Sequence, residues 1–183
     1  MDLIVLGVLE FNSIAIGIYS LDAMVKAAPI KIIDAKTICP GKYVIIISGD
    51  VAAVDAALTA GKETGRGYII DELFLPNLEQ QIIPAITGSV ECSIWDAVGI
   101  IETFSVISSI EAGDIAAKIS EITIPEIRLA VGMGGKSYVK IIGTLNAVEV
   151  AMEAAVGRIR KKGLLCMNTI IPKPHSDIKP FFM

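Results

Sequence analysis

The chain repeats itself, and the repeat limits the fold more than any other feature. Gly7, Glu10, Ser13, Asp22 and Lys26 return 92 positions later as Gly99, Glu102, Ser105, Asp114 and Lys118. Gly41, Lys42, Gly49, Val54 and Ala57 return 94 positions later as Gly135, Lys136, Gly143, Val148 and Ala151. Gly67 and Pro76 return 96 positions later as Gly163 and Pro172. An ordered series with slowly growing offsets means duplication followed by small loop insertions. Two similar units of about 90 residues each are therefore expected, each large enough to hold its own small core. The reading places them at residues 1–90 and 91–183, joined near Gly88 to Ser93.

Each half carries the same succession of patterns. Leu3 to Phe11 is an apolar strand, matched by Trp95 to Phe104. A helix follows, over Asp22 to Ala28 in the first half and Glu111 to Lys118 in the second. Two strands come next, Lys31 to Ile38 and Tyr43 to Ser48, with counterparts Glu126 to Val131 and Ser137 to Ile142. Asp50 and Thr144 are placed to cap the next helices by accepting hydrogen bonds from first-turn amides. Val51, Val54, Ala57 and Leu58 have the spacing of one buried helical face. Lys161-Lys162-Gly163 reads as the end of the second helix, with cations against its dipole and a glycine to stop it. A fourth strand, Tyr68 to Leu75 or Leu164 to Ile171, closes each unit. The fold class is α+β. Each unit has the ferredoxin-like order strand–helix–strand–strand–helix–strand, an antiparallel sheet with helices on one face.

Composition narrows the partners. Apolar residues make up 53% of the chain and charged residues 20%. The longest uncharged stretches, such as Phe11 to Leu21, run about half the roughly 20 residues a membrane-spanning helix needs. The excess apolar surface is read as core plus contacts between subunits. A net charge of −4 and 5% aromatic residues argue against nucleic acid. Met1-Asp2 lacks the basic start of a signal peptide. Cys39, Cys92 and Cys166 form no CxxC pair, and an odd count fits a reducing cytoplasm.

The loop Lys36-Thr37-Ile38-Cys39-Pro40-Gly41-Lys42 stands out between two apolar runs. Pro and Gly side by side mark a tight turn. A cysteine at the tip of such a turn is read either as chemistry or as a small apolar residue at a narrow opening. Its counterpart in the second half is Met133, within Gly132-Met133-Gly134-Gly135. Cys92, in the joining segment, and Cys166, in a strand, are read as structural. Gly135-Lys136-Ser137 superficially resembles a phosphate-binding loop. That loop requires a helix immediately after it, and Tyr138 to Ile142 reads as a strand. His175-Ser176-Asp177 is no catalytic triad, because neighbours on an extended chain point apart. A single histidine, read as packing near an edge, gives little support to a zinc hydrolase site.

Gly7-Val-Leu-Glu10, Asp22-Ala-Met-Val-Lys26, Gly49-Asp-Val-Ala-Ala-Val54 and Ile171-Pro-Lys-Pro-His175 resemble the shell proteins of bacterial microcompartments. The doubled unit resembles their tandem-domain class, and the resemblance covers nearly the whole chain. The loop Thr37 to Lys42 resembles that of the propanediol-utilisation iron–sulfur shell proteins. The resemblance implies a structural protein rather than an enzyme. It implies a homotrimer shaped like a hexamer, tiling edge to edge with other shell proteins in a cytoplasmic compartment, with an enclosed redox enzyme as a further partner. It implies one [4Fe-4S] cluster per trimer, ligated by Cys39 of three subunits at a central pore, for electron transfer or redox sensing. Thr37, Ile38, Pro40, Gly41, Gly132, Met133 and Gly134 would line that pore. Lys26, Lys118 and Lys173 would lie along tile edges, although Asn77 replaces the basic residue in the first half. Three thiolates leave one iron of such a cluster with an outside ligand, and a thioether at Met133 is a poor one. Two other readings stand beside this one. The first is a cluster-free tile whose pore passes a small metabolite. The second is a solitary sensor enzyme, which predicts a monomer.

Overall fold

A computed structural model describes residues 5–88, 90, 92 and 94–182. Leu3 and the joining residues 89, 91 and 93 lie outside the described residues. The chain divides into two compact units, Met1–Leu78 and Glu79–Met183.

In the first unit, β1 (Val5–Phe11) is followed by α1 (Ile14–Ala27), β2 (Lys31–Ile38), β3 (Lys42–Gly49), α2 (Val51–Thr64) and β4 (Ile69–Leu75). The sheet order is β2-β3-β1-β4, with every neighbouring pair antiparallel. In the second unit, α3 (Ile82–Thr87) precedes the same succession. This runs β5 (Ala97–Thr103), α4 (Val106–Ile119), β6 (Ile127–Arg128), β7 (Ser137–Gly143), α5 (Leu145–Lys161) and β8 (Leu165–Pro172). Its order, β6-β7-β5-β8, repeats that of the first sheet. A short 3-10 turn and α6 (Lys179–Phe182) end the chain.

The caps sit where the sequence places them. Asp50 accepts from the Ala53 amide at 2.8 Å and Thr144 from the Ala147 amide at 3.4 Å. The first helix of each unit is longer than the sequence reading has it. Ser13 accepts from the Ile16 amide and Ser105 from the Ser108 amide, so α1 starts at Ile14 and α4 at Val106. Ile14, Ile16, Gly17 and Ile18 have poor intrinsic helix propensity, and the serine cap with tertiary packing overrides it. The strand expected over Glu126 to Val131 shrinks to Ile127–Arg128, because Ala130 takes φ 41° and the glycines after it turn left-handed. On α2, Val54, Ala57 and Leu58 are buried, whereas Val51 is exposed and Ala53 replaces it. Glu79 to Thr87 also belongs to the second unit. The Glu79 amide donates to Asp114 at 3.0 Å, and Gln81 clips both the Ile122 carbonyl and the Ile124 amide. The division therefore precedes α3 rather than following residue 90.

Leu9, Phe11, Met24, Tyr43, Ile45 and Val54 form the core of the first unit. Gly7 lets α2 lie close to the sheet. A Cβ there would stand 2.8 Å from Val54 Cγ1 and 3.2 Å from Leu58 Cδ1. Gly99 does the same beneath α5, 2.8 Å from Met152 Sδ. Gly7→Ala is expected to cost about 1–3 kcal/mol by overpacking. Adding Val54→Ala should recover part of that loss, read as a denaturant midpoint.

The repeat also contains a compensated swap. Tyr43 packs onto Gly17 in the first unit, where a Cβ would be 2.6 Å from the ring. Ser137 and Ser109 occupy the corresponding places in the second and share a 2.5 Å hydrogen bond. Large-on-small becomes small-on-small, and hydroxyls satisfy each other where a ring filled the space.

Behind the second sheet, Phe182 packs with Val98, Ile142 and Cys92 and meets Trp95 edge-on at 5.6 Å. Lys140 fixes this tail by donating to the Phe182 carbonyl at 2.5 Å while pairing with Glu126 at 2.8 Å. Burial pushes the Glu126 carboxyl up, but Lys140, the Tyr138 hydroxyl and Arg128 outweigh it and hold it below its ordinary value. A depressed carboxylate stabilises the fold above its unfolded value, roughly pH 4.3, and that contribution disappears as pH falls through the lower folded value. Thermal melts across that range should fall less steeply for Glu126→Gln than for the parent.

Candidate functional site

Ile38 and Lys42 are the last residues paired across β2 and β3. Cys39, Pro40 and Gly41 therefore form the turn between these strands. The Cys39–Pro40 peptide is cis and Gly41 has φ 73°. An added Cβ on Gly41 would meet nothing within 4 Å, so this side of the turn is open. Thr37, Pro40 and Gly41 are exposed and Cys39 is half-buried with a free thiol. Ile38 is 3% exposed, so its side chain belongs to the interior of the unit.

An ion pair that the sequence reading missed braces this turn. Lys42 Nζ lies 2.8 Å from Glu10 Oε1, and Glu10 is 1% exposed. Its other oxygen has no hydrogen-bond partner among the described residues. Lys36 pairs with Asp34 at 2.6 Å. The second unit repeats the brace, since Lys136 Nζ lies 2.8 Å from Glu102 Oε2. The hydrogen bond and charge of Glu102 raise the Lys136 pKa. Both pairs were visible as recurrences, Glu10 with Glu102 and Lys42 with Lys136. What was missing was the cross-strand diagonal that brings each pair together.

The matching loop of the second unit is built from glycine. Gly132, Gly134 and Gly135 have φ of 73°, 61° and 89°, a region that favours glycine. Gly132 and Gly134 are exposed and Met133 is half-buried. Met133 lines a pocket of about 330 Å³ with Glu102, Lys136, Ser137 and Tyr138. β7 starts directly after Lys136, and Lys136 is committed to Glu102. The phosphate-loop geometry is therefore missing, as the sequence indicates.

The remaining candidates lie apart from these loops. Lys26 pairs with Asp22 at 2.5 Å near the end of α1, and both are exposed. Lys118 pairs with Asp114 at 2.6 Å near the end of α4, where Asp114 is buried. Lys173 is exposed, has φ 51°, and donates its amide to the Asp96 carbonyl at 2.7 Å. His175 is exposed rather than packed, and its Nδ1 accepts from the Asp177 amide at 3.3 Å. Cys92 is buried, which pushes its thiol pKa up. Cys166 donates to Glu102 Oε2 at 3.8 Å. Among the described residues, no single chain gathers three metal-ligating side chains. No described helix is long and apolar enough to cross a membrane.

Comparison with known proteins matches the duplication unit by unit. The BMC domain family model matches residues 5–78 and again 97–174. The chain is 39% identical over 173 residues to the bacterial microcompartment shell protein PduT of Citrobacter freundii, covering 94% of each. A crystal structure of a microcompartment protein from Desulfitobacterium hafniense DCB superposes with a TM-score of 0.91 at 42% identity. That match covers 97% of this chain and 99% of the other. The fused permuted hexameric shell protein MSM0275 shares the fold at a TM-score of 0.64 and 18% identity, over 86% of this chain and 84% of its own. Two BMC domains in tandem, a full-length likeness to a shell protein and the same architecture in solved relatives agree: the chain belongs to the bacterial microcompartment shell proteins, in the class that carries two such domains in one polypeptide.

Proposed function

We propose that this shell protein closes into a ring of three subunits and holds a [4Fe-4S] cluster through three Cys39 thiolates on the ring axis. The observation that carries the ring is an unequal pair of helices. Ile14, Ile18 and Val25 lie at i, i+4 and i+11 on α1, one face of the helix, and Ile18 is 53% exposed. On α4 the corresponding Val106 and Ile110 are buried, and α3 packs against that helix with Ile82 near Gly113. The first unit thus presents an apolar stripe that its duplicate keeps covered. A second copy of the chain is the natural cover, and a contact between unlike surfaces repeated by rotation closes a ring.

The donor set fits a cluster only in such a ring. One chain offers one thiol on an open turn, and iron–sulfur clusters take several thiolates. The counterpart of Cys39 is Met133, so threefold rather than sixfold convergence follows. When bound, the cluster supplies one-electron transfer. The chain's own work is to hold the Cys39 turn, through the Lys42–Glu10 brace and the Gly41 bend. Thr37, Pro40 and Gly41 from one unit, and Gly132, Met133 and Gly134 from the other, are the surface residues proposed to border the opening. Lys26, Lys118 and Lys173 are proposed edge contacts with neighbouring tiles.

The deciding experiment is iron and sulfide content of the anaerobically purified protein, alongside its mass by light scattering. A trimer with about four irons supports the whole reading. A trimer without iron removes the cluster and leaves a tile whose opening passes a small metabolite. A monomer removes the ring.

A further inference from the structure

The last turn of α5 and its cap carry four cations in five residues, Arg158, Arg160, Lys161 and the cap Lys162, on a chain whose net charge is −4. All four are exposed. Their arrangement is built rather than incidental. Glu111 of α4, only 6% exposed, holds Arg158 Nε at 3.0 Å through one oxygen and Lys162 Nζ through the other. Arg160 and Lys161 have no ion-pair partner among the described residues. Glu149 and Glu153 line the groove beside α5 that Arg160 also borders.

Neither the fold nor the helix dipole requires this. In the first unit Thr64 stands at the position of Arg158 and an exposed Tyr19 at that of Glu111. There α2 ends with Lys62 as its only cation in the last turn. One cation suffices to offset a helix C-terminus. Arg66, just past the end of α2, matches Arg160 at the same offset, whereas Arg158, Lys161 and Lys162, and the buried carboxylate that positions two of them, are peculiar to the second unit. They also sit beside its loop. The Phe104 amide donates to the Leu164 carbonyl at 2.9 Å, and Thr103 is paired with both Ser137 and Leu165. The end of α5 is therefore at the same end of the sheet as Gly132 to Gly135.

We propose that this turn is a docking surface for an acidic polypeptide segment, with Arg160 and Lys161 free to pair and Arg158 and Lys162 held in place by Glu111. The four exposed side chains follow one another along a helix end rather than converging on one point. That suits an extended carboxylate-bearing segment better than a small anion. The acidic net charge and scarcity of aromatic residues disfavour nucleic acid. The proposal goes beyond the shell reading and needs no cluster, so iron-free protein serves for its test.

The probes are a fluorescein-labelled peptide alternating glutamate with serine, its glutamine twin, and a single-stranded DNA of equal charge. Anisotropy is read in about 50 and 200 mM salt, since exposed charge pairs weaken as the screening length shortens. The glutamate peptide should bind and its twin should not. Arg160→Gln with Lys161→Gln should weaken binding by at least about tenfold, with melting lowered only slightly, since the Lys162 and Arg158 cations remain at the helix end. Glu111→Gln should weaken it less. Equal binding of both peptides, no effect of the double substitution, or tighter binding of the DNA would each overturn the proposal. The parent and variants are sized in the same buffers, so a failure of the ring is scored separately.

Discussion

Ile18→Asp is expected to turn the proposed trimer into a folded monomer. Ile18 is the most exposed isoleucine of the α1 stripe, flanked by Ile14 one turn before it and Tyr19 beside it. None of the three supports the core beneath, which is carried by Leu9, Met24, Tyr43 and Val54. A charge at Ile18 should therefore leave the unit's own stability nearly untouched. In the ring the same charge would be buried against a neighbour without a partner. Truncating one central contact commonly costs about 2–4 kcal/mol, and each 1.4 kcal/mol is a factor of ten in affinity. An unpaired charge adds a desolvation penalty. In the proposed ring each subunit would make this contact, so the loss would be counted at every joint. Light scattering should show one third of the parent mass, with an unchanged circular dichroism spectrum. Ile18→Val, which keeps the apolar surface, should remain trimeric. A trimer that tolerates Asp at this position would mean the stripe faces something other than a subunit.

Much of this architecture was legible, and the reasons for the exceptions are physical. Matching glycines, carboxylates and lysines at slowly growing offsets gave two units with eight strands between them. Asp50 and Thr144 announced their helices because a cap is a local hydrogen bond readable from neighbouring residues. The start of α1 was not legible, because Ile14, Ile16 and Ile18 look like strand residues and the Ser13 cap together with packing of the helix overrules them. β6 was overread for the opposite reason. Its apolar letters Ile127, Leu129 and Val131 suit a strand, but the glycines downstream impose a left-handed loop. The Cys39 turn was visible from Pro40 and Gly41. The Lys42–Glu10 brace beneath it was not, because it depends on the register between β1 and β3. The basic turn of α5 was read as a helix end. Its link to Glu111, 47 residues earlier than Arg158, exists only in the folded unit.

Cys39→Ser should yield a trimer of parental mass without iron. Of the three thiols, two are poorly placed to ligate iron. Cys92 is buried behind the second sheet with Val98, Ile142 and Phe182, and burial pushes its thiol pKa up, away from the thiolate that a cluster needs. Cys166 stands within β8 rather than on a turn, and its thiol donates to Glu102. Cys39 alone occupies a turn whose neighbours Pro40 and Gly41 are exposed and whose far side is empty. The substitution exchanges sulfur for oxygen on a surface turn, so little stability is at stake. The parent should carry about four irons and four sulfides per trimer, with the broad visible absorbance of thiolate-to-iron charge transfer. The variant should carry neither, while Cys92→Ser and Cys166→Ser keep both. Iron that survives in Cys39→Ser would place the ligands elsewhere in the chain. Lys42→Met offers an independent measure of the turn itself. Removing the ammonium leaves Glu10 buried without its ion partner, so this variant should bind iron more weakly and melt earlier, whereas Cys39→Ser should change only the iron.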